Sequence, residues 1–454
     1  MTTPFPPIFS LHRPLLAALT ATLMAMAGPA MAGGDVSSAD IRLETKLGQD
    51  VLRAGKAQRI YLRVSLEGLI TKIRRERSPV NIALVLDRSG SMQGKKMEQA
   101  KEAAIMAINH MDRNDVASVV VYNHRASTLV PANWMRDRAK VRARISDMTA
   151  DGKTALHAGV KRGLGEVDKF LSPSRVNRVI LLSDGLANVG PSTPAELAEL
   201  GRKAGGDGVS ITTIGLGLGY NEDLMTRLAG SSDGNHAFVE KPEDLVKIFN
   251  KEFGDVMSVA AQDVEILIRC APGFKPLRVL GREAQLRGRE VKMRLNQVYG
   301  GQQKYALLEI EALGGQSAGS ARLAEVEISY TNMRSKTRER LNDQIEARFS
   351  HSAAEVKAST NARVMAAVAT QIATARSEQA VLLRDKGDTK GARRLLQENA
   401  AYLKRKAREY SAPMLEQLGA AASATAGALS AKDWGRSRKM MRARQFKSKN
   451  QQSY

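Results

Sequence analysis

The sequence predicts an α/β fold: a doubly wound, mostly parallel sheet inserted in a β-sandwich and followed by a C-terminal helical region. Three observations predict it. Between residues 79 and 256 continuous apolar runs alternate with amphipathic stretches, as in NIALVLD, KKMEQAKEAAIMAINHM and VASVVVYN. Strands that are apolar throughout and lie between helices belong to a parallel sheet covered on both faces. On either side the period drops to two, with Ile60, Leu62, Val64 and Leu66 before this region and Val264, Ile266 and Ile268 after it; that is the pattern of half-buried strands. From 352 to 430 the chain turns alanine-rich with helical spacing.

The elements follow in order. Residues 1–32 read as a signal peptide: His12 and Arg13 precede the apolar run Leu15–Ala27, and Ala30-Met31-Ala32 has the small-x-small form of a cleavage site. The run is short of the roughly 18 apolar residues a membrane span needs, and no later stretch approaches that length. The mature protein is therefore expected to be exported, periplasmic or secreted, with no transmembrane span after cleavage. Residues 33–78 supply the first strands of the sandwich and a charged stretch ending at Pro79. These strands are too few to stand alone, so they are expected to join the strands of 257–350, including Val291/Met293/Leu295 and Ala324/Val326/Ile328/Tyr330.

Within 79–256, the helix after Lys95 carries Met97, Ala104, Ile105, Ile108 and Met111 on one face. A helix from Thr154 to Leu171, the strand NRVILLSDG, a helix after Pro194, the strand SITTIGLGLG and helices near 221–229 and 242–256 complete it. Residues 351–431 form the helical region, with two long segments broken at Gly387-Asp388; the pair is like one helix-turn-helix repeat, and without a second copy no solenoid is expected. Residues 432–454 carry Lys432, Arg436, Arg438, Lys439 and Arg442 against the single acid Asp433. Such a segment reads as a disordered basic tail.

The chain has 69 Lys and Arg against 47 Asp and Glu, a formal charge of +22. That surface favours acidic partners, either acidic protein or, through the tail, an anionic envelope surface. Export makes nucleic acid the least expected partner. The lone cysteine, Cys270, continues the alternation of Val264, Ile266 and Ile268, so it is expected to be buried in a strand, and no intramolecular disulfide can form.

The segment ALVLDRSGSMQGKK, Ala83 to Lys96, carries the chemistry. An apolar strand ends by presenting Asp87, Ser89 and Ser91 at alternate positions just before a helix. In a parallel α/β sheet, ligands bind beyond the carboxyl ends of the strands. One carboxylate and two hydroxyls suit Mg²⁺ or another hard divalent ion, and Gly90 and Gly94 let the loop fold tightly. Two further oxygens stand at other strand ends, Thr154 in ADGKTAL and Asp184 in ILLSDG.

This pattern resembles the von Willebrand factor type A (VWA) domain with its metal-ion-dependent adhesion site, over residues 79–256. The resemblance implies a Rossmann-like sheet and a bound Mg²⁺, with Mn²⁺ or Ca²⁺ as alternatives. Ser89 and Ser91 would bind the ion directly, Asp87 and Asp184 largely through waters, and Thr154 in either way. Gly152-Lys153-Thr154 departs from the family's usual Gly-Gly-Thr and puts a lysine beside the site. Two carboxylates and neutral hydroxyls, with waters between, leave the cation under-neutralised, so an open coordination position would favour an Asp or Glu carboxylate from a protein ligand. The expected function is adhesion or assembly in the cell envelope. An envelope scaffold in which the metal only stabilises the fold is the alternative, and a metal-dependent hydrolase is less supported. Asp151 and His157 are the only local candidates for a catalytic base, and neither has a readable partner. The chain lacks GxxxxGK[ST] and HExxH, and GLGLG at 215–219 lacks phosphate-loop spacing. No enzyme activity, catalytic residue or nucleotide cofactor is expected.

Overall fold

The computed structural model describes residues 35–70 and 77–452. The signal-peptide reading lies outside the described residues, as does most of the charged stretch before Pro79. Four strands open the described chain: β1 (Asp35–Ser37), β2 (Ile41–Leu47), β3 (Val51–Arg53) and β4 (Gln58–Gly68). β5 (Val80–Asp87) then enters the α/β region, followed by α1 (Lys95–Asn109), β6 (Val116–Tyr122), β7 (Ala126–Trp134), α2 (Arg138–Ser146) and α3 (Leu156–Asp168). It continues through β8 (Val176–Ser183), α4 (Pro194–Gly206), β9 (Ser210–Leu216), α5 (Glu222–Ser231), β10 (His236–Val239) and α6 (Leu245–Met257).

The central sheet has the order β10-β9-β8-β5-β6-β7, parallel except for β7, which turns back along β6. β5, β6, β8 and β9 are buried along their whole length. That is why they read as unbroken apolar runs: each face is covered by helices. One face packs Ile82, Leu84 and Ile180 against Ala104 and Ile108 of α1 and Phe249 and Phe253 of α6. The other packs Ala83, Val85 and Leu181 against Val160 of α3 and Leu224 of α5. The chain leaves β5 in one direction, to β6 and β7, and returns to build β8, β9 and β10 on its other side. The carboxyl ends of β5 and β8 therefore flank a topological switch point, where crevices form in such sheets.

Only Ser258 separates α6 from β11 (Val259–Cys270). β12 (Phe274–Leu280), β13 (Gln285–Arg287), β14 (Glu290–Tyr299), β15 (Gln303–Ala312), β16 (Gly319–Asn332) and β17 (Arg338–Ser350) follow. They join the N-terminal strands in two sheets, β1-β2-β4-β15-β12 and β13-β14-β11-β16-β17-β3. The inward faces share one core, in which Leu43, Leu62 and Val64 meet Ile266, Ile268, Val326 and Ile328. The α/β region is thus an insertion between β4 and β11 of a sandwich. Cys270 is buried in β11, and burial pushes its thiol up to about 11.

The helices α7 (Ala353–Ala358), α8 (Ala362–Asp385), α9 (Thr389–Glu409), α10 (Pro413–Gly427) and α11 (Ala431–Asn450) end the chain. α8 lays Val364 and Val368 on Leu280 and Leu307 of the sandwich. Gly387, at φ +90°, and the Asp388 cap separate α8 from α9.

α11 corrects the expectation of a disordered tail. Its charges do not repel one another into solvent because acids on two other elements take them up. Arg438 binds Glu222 at 2.5 Å, Asp385 at 2.9 Å and also Asp223. Lys439 donates to Glu222 at 2.6 Å and to the Tyr220 carbonyl at 2.8 Å. Met441 and Phe446 are buried on the same helix. The sequence shows the charge run, but the acids that neutralise it lie 53 to 217 positions away.

Phe446 packs edge-on against His236, whose ring is fully buried and meets Tyr220 on another side. Burial, with Lys447 and Lys439 adding to it, pushes His236 down to about 3. The folded state thus holds a neutral ring while the unfolded chain protonates below its usual 6.5, so the stability His236 contributes is lost as pH falls from 6.5 towards 3. Between pH 7 and pH 5 this amounts to about 2 kcal/mol. In urea unfolding, His236→Phe should lose less stability than the wild type over that interval by about this amount. Equal losses would show that His236 is not the group responsible.

Candidate metal-binding site

β5 ends at Asp87, which is fully buried. Its Oδ1 accepts the Ser89 backbone N–H at 2.8 Å, and its Oδ2 accepts the Ser183 hydroxyl at 2.8 Å. Burial nevertheless dominates and pushes its carboxyl up to about 6; the hydrogen bonds oppose that shift and nearby Asp184 adds to it. Gly94, at φ +71°, then lets the chain turn into α1.

Three loops are pinned together here by hydrogen bonds from their backbone N–H groups. Gly90 N–H donates to the Gly152 carbonyl at 2.9 Å and Asp151 N–H to the Arg88 carbonyl at 2.7 Å. Thr154 N–H donates to Asn188 Oδ1 at 2.9 Å, tying the loop before α3 to the one after β8.

The side chains converge as a result. Ser89 Oγ lies 3.1 Å from Ser91 Oγ, and Ser91 Oγ donates to Asp184 Oδ1 at 2.6 Å. Thr154 Oγ1 faces the same point: a Cβ placed on Gly185 would lie 3.2 Å from it and 3.5 Å from Ser91 Oγ. Glycine at 185 keeps this space open. The five residues Asp87, Ser89, Ser91, Thr154 and Asp184 thus form one cluster at the switch point. Asp87, Ser89, Thr154 and Asp184 are buried, and Ser91 is exposed at the rim. Two carboxylates and three hydroxyls offer oxygen only, which fits a hard divalent ion rather than a thiophilic one. Thr154 Oγ1 has no hydrogen-bond partner among the described residues, leaving an acceptor available.

Sequence reasoning missed two residues. Ser183 holds the inner oxygen of Asp87. Lys96 donates to Asp184 Oδ2 at 2.5 Å and to the Ser91 carbonyl at 3.2 Å. The doubled lysine in QGKK, at the start of α1, was the available signal. Lys153, flagged as the departure beside the site, is exposed, and Asp151 is exposed as well. His157 makes no hydrogen bond to the cluster among the described residues; burial lowers its pKa, Lys161 adds to that, and Glu196 opposes it. Leu186 and Leu218, 58% and 54% exposed, stand on the loops that follow β8 and β9.

An α/β sheet with this switch-point cluster defines a class of domain. Residues 81–251 match the family model for the von Willebrand factor type A domain, and this part of the chain is a VWA domain. The chain is 27% identical over 334 residues to "Uncharacterized protein sll0103" of Synechocystis sp., covering 71% of this chain and 78% of that one. It is 32% identical over 172 residues to inter-alpha-trypsin inhibitor heavy chain H3 of Pongo abelii, covering 36% of this chain and only 19% of that one. In three dimensions it resembles a von Willebrand factor type A protein from Catenulispora acidiphila, with a TM-score of 0.69 and 18% identity, over 84% of this chain and 91% of that one. That likeness extends well beyond the VWA region and concerns the fold. Among the described residues no helix is long and apolar enough to cross a membrane.

Proposed function

We propose that the protein is an exported, non-enzymatic binding module, which holds Mg²⁺ at its VWA domain and takes a carboxylate from a protein partner to complete the metal's coordination. The reading rests on the convergence of Asp87, Ser89, Ser91, Thr154 and Asp184 at one opening of the fold. The buried carboxylates would supply charge from below, and the hydroxyls of Ser89, Ser91 and Thr154 would face the ion. With both carboxylates acting largely through waters, the shell directly around the ion would be neutral, which favours an anionic ligand on its outer side, where Ser91 is exposed. A partner's Asp or Glu fits there, and Leu186 and Leu218 offer apolar contact beside it. VWA domains commonly serve protein interaction, and adhesion or assembly at the cell envelope is the role that export would allow. The N-terminal Leu15–Ala27 run supports export.

The test is capture on immobilised protein from an envelope extract of the producing cells. Proteins held in Mg²⁺ and released by chelator should be absent from Asp87→Ala, while the variant keeps its circular dichroism. Retention of the same proteins by both, with or without chelator, contradicts the proposal.

A further inference from the structure

A cleft of about 980 Å³ opens where the VWA domain, the sandwich and the terminal helices meet. It contains none of the five metal-site residues. Cations reach it from all its walls but α8: Arg202 of α4, Arg227 of α5, Arg282 after β12, Arg294 of β14, and Arg442 and Lys449 of α11. They outnumber the acids of the lining, Asp223, Asp233, Glu283 and Glu378. Most of those acids are already engaged: Asp233 by Arg282 and Lys304, Asp223 by Arg438 and Arg442, Glu378 by Lys449. Arg202 and Arg227, both exposed, form no ion pair among the described residues. Arg282, 8% exposed in its side chain, has a buried Nε without a hydrogen-bond partner, and Oε1 of the buried Gln371, which lies against the neighbouring Gly281, has none either.

We infer that this cleft binds an extended acidic segment of another polypeptide. Its volume is at the upper end of ligand sites, roughly 300–1,000 Å³, and far exceeds a single anion. Its lining decides the chemistry. A uniformly anionic polymer has no donors for the unpartnered Oε1 of Gln371 in the lining. A peptide brings spaced carboxylates for the arginine forks, and its backbone N–H groups match the unpartnered Oε1 of Gln371. Because all three parts of the molecule supply walls, an occupant would also brace them against one another.

The test is fluorescence anisotropy with a labelled peptide of alternating Glu and Ser. Wild type should bind it with an affinity that falls as salt rises, and R202E/R227E should bind at least tenfold more weakly with an unchanged melting temperature. R393E/R405E, an equal charge change at exposed positions of α9, should retain binding, as should Asp87→Ala, which separates this site from the metal site. Equal losses in R202E/R227E and R393E/R405E would reduce the effect to net charge and overturn the inference. So would no binding by wild type, or competition by inorganic polyphosphate or phosphatidylglycerol vesicles that exceeds competition by unlabelled peptide.

Discussion

Arg178→Met should destabilise the protein by about 3–5 kcal/mol, the usual effect of removing one member of a buried ion pair. Arg178 sits in the middle of β8 with no exposed surface. Its Nη1 donates to Thr212 Oγ1 at 3.3 Å and lies 3.7 Å from Glu252 Oε2 on α6. Its Nη2 donates to Gln297 Oε1 at 2.5 Å and to the Tyr299 hydroxyl, both on β14. One guanidinium thus ties the central sheet, the last helix of the VWA domain and the sandwich together. Burial already pushes Glu252 up to about 7, with Arg178 opposing that shift. Removing the arginine leaves a fully buried carboxylate and two polar groups of β14 without their charge partner. The double variant Arg178→Met, Glu252→Leu should therefore be more stable than Arg178→Met alone, because no orphan charge remains. Urea unfolding of the three proteins reads both effects. A loss below about 1 kcal/mol in the single variant would mean that solvent reaches the site.

The second large effect concerns Lys96. Its ammonium occupies Asp184 Oδ2, so a divalent ion drawing on that carboxylate must displace it or share it. The lysine is about one third exposed, which weakens the pair, whereas the carboxylate it meets is wholly buried. Removing the competitor is worth about 1.4 kcal/mol, or a tenfold lower Kd for Mg²⁺ in Lys96→Met. Calorimetric titration measures it. A weaker Kd in the variant would mean that Lys96 positions Asp184 for the ion instead of competing with it.

Much of this architecture is written locally in the chain. The period change from unbroken to alternating apolar runs separates the inserted sheet from the sandwich, because it reflects how many faces each strand buries. Asp87, Ser89 and Ser91 are legible because their spacing sits at the end of such a run, and Asp184 because it follows an equivalent one; Thr154, in the loop between α2 and α3, is legible only through the family resemblance. What stayed hidden depends on distant partners. Lys96 looks like an ordinary solvated residue until α1 brings it to Asp184. The tail looks disordered until Glu222, Asp223 and Asp385 are placed beside it. Arg178 did carry a signal, a charge interrupting VNRVILLS, but its partners lie on α6, β9 and β14. β7 was missed as a strand because its exposed edge lacks the apolar run of its neighbours.

The central claim is that this cluster holds a hard cation, and Mg²⁺ titration of the chelator-treated protein by calorimetry, beside Asp87→Ala, tests it most directly. The account predicts one saturable site in the wild type and none in a folded Asp87→Ala. A folded wild type without saturable binding of Mg²⁺ or Mn²⁺, or an Asp87→Ala variant that binds as the wild type does, would contradict it.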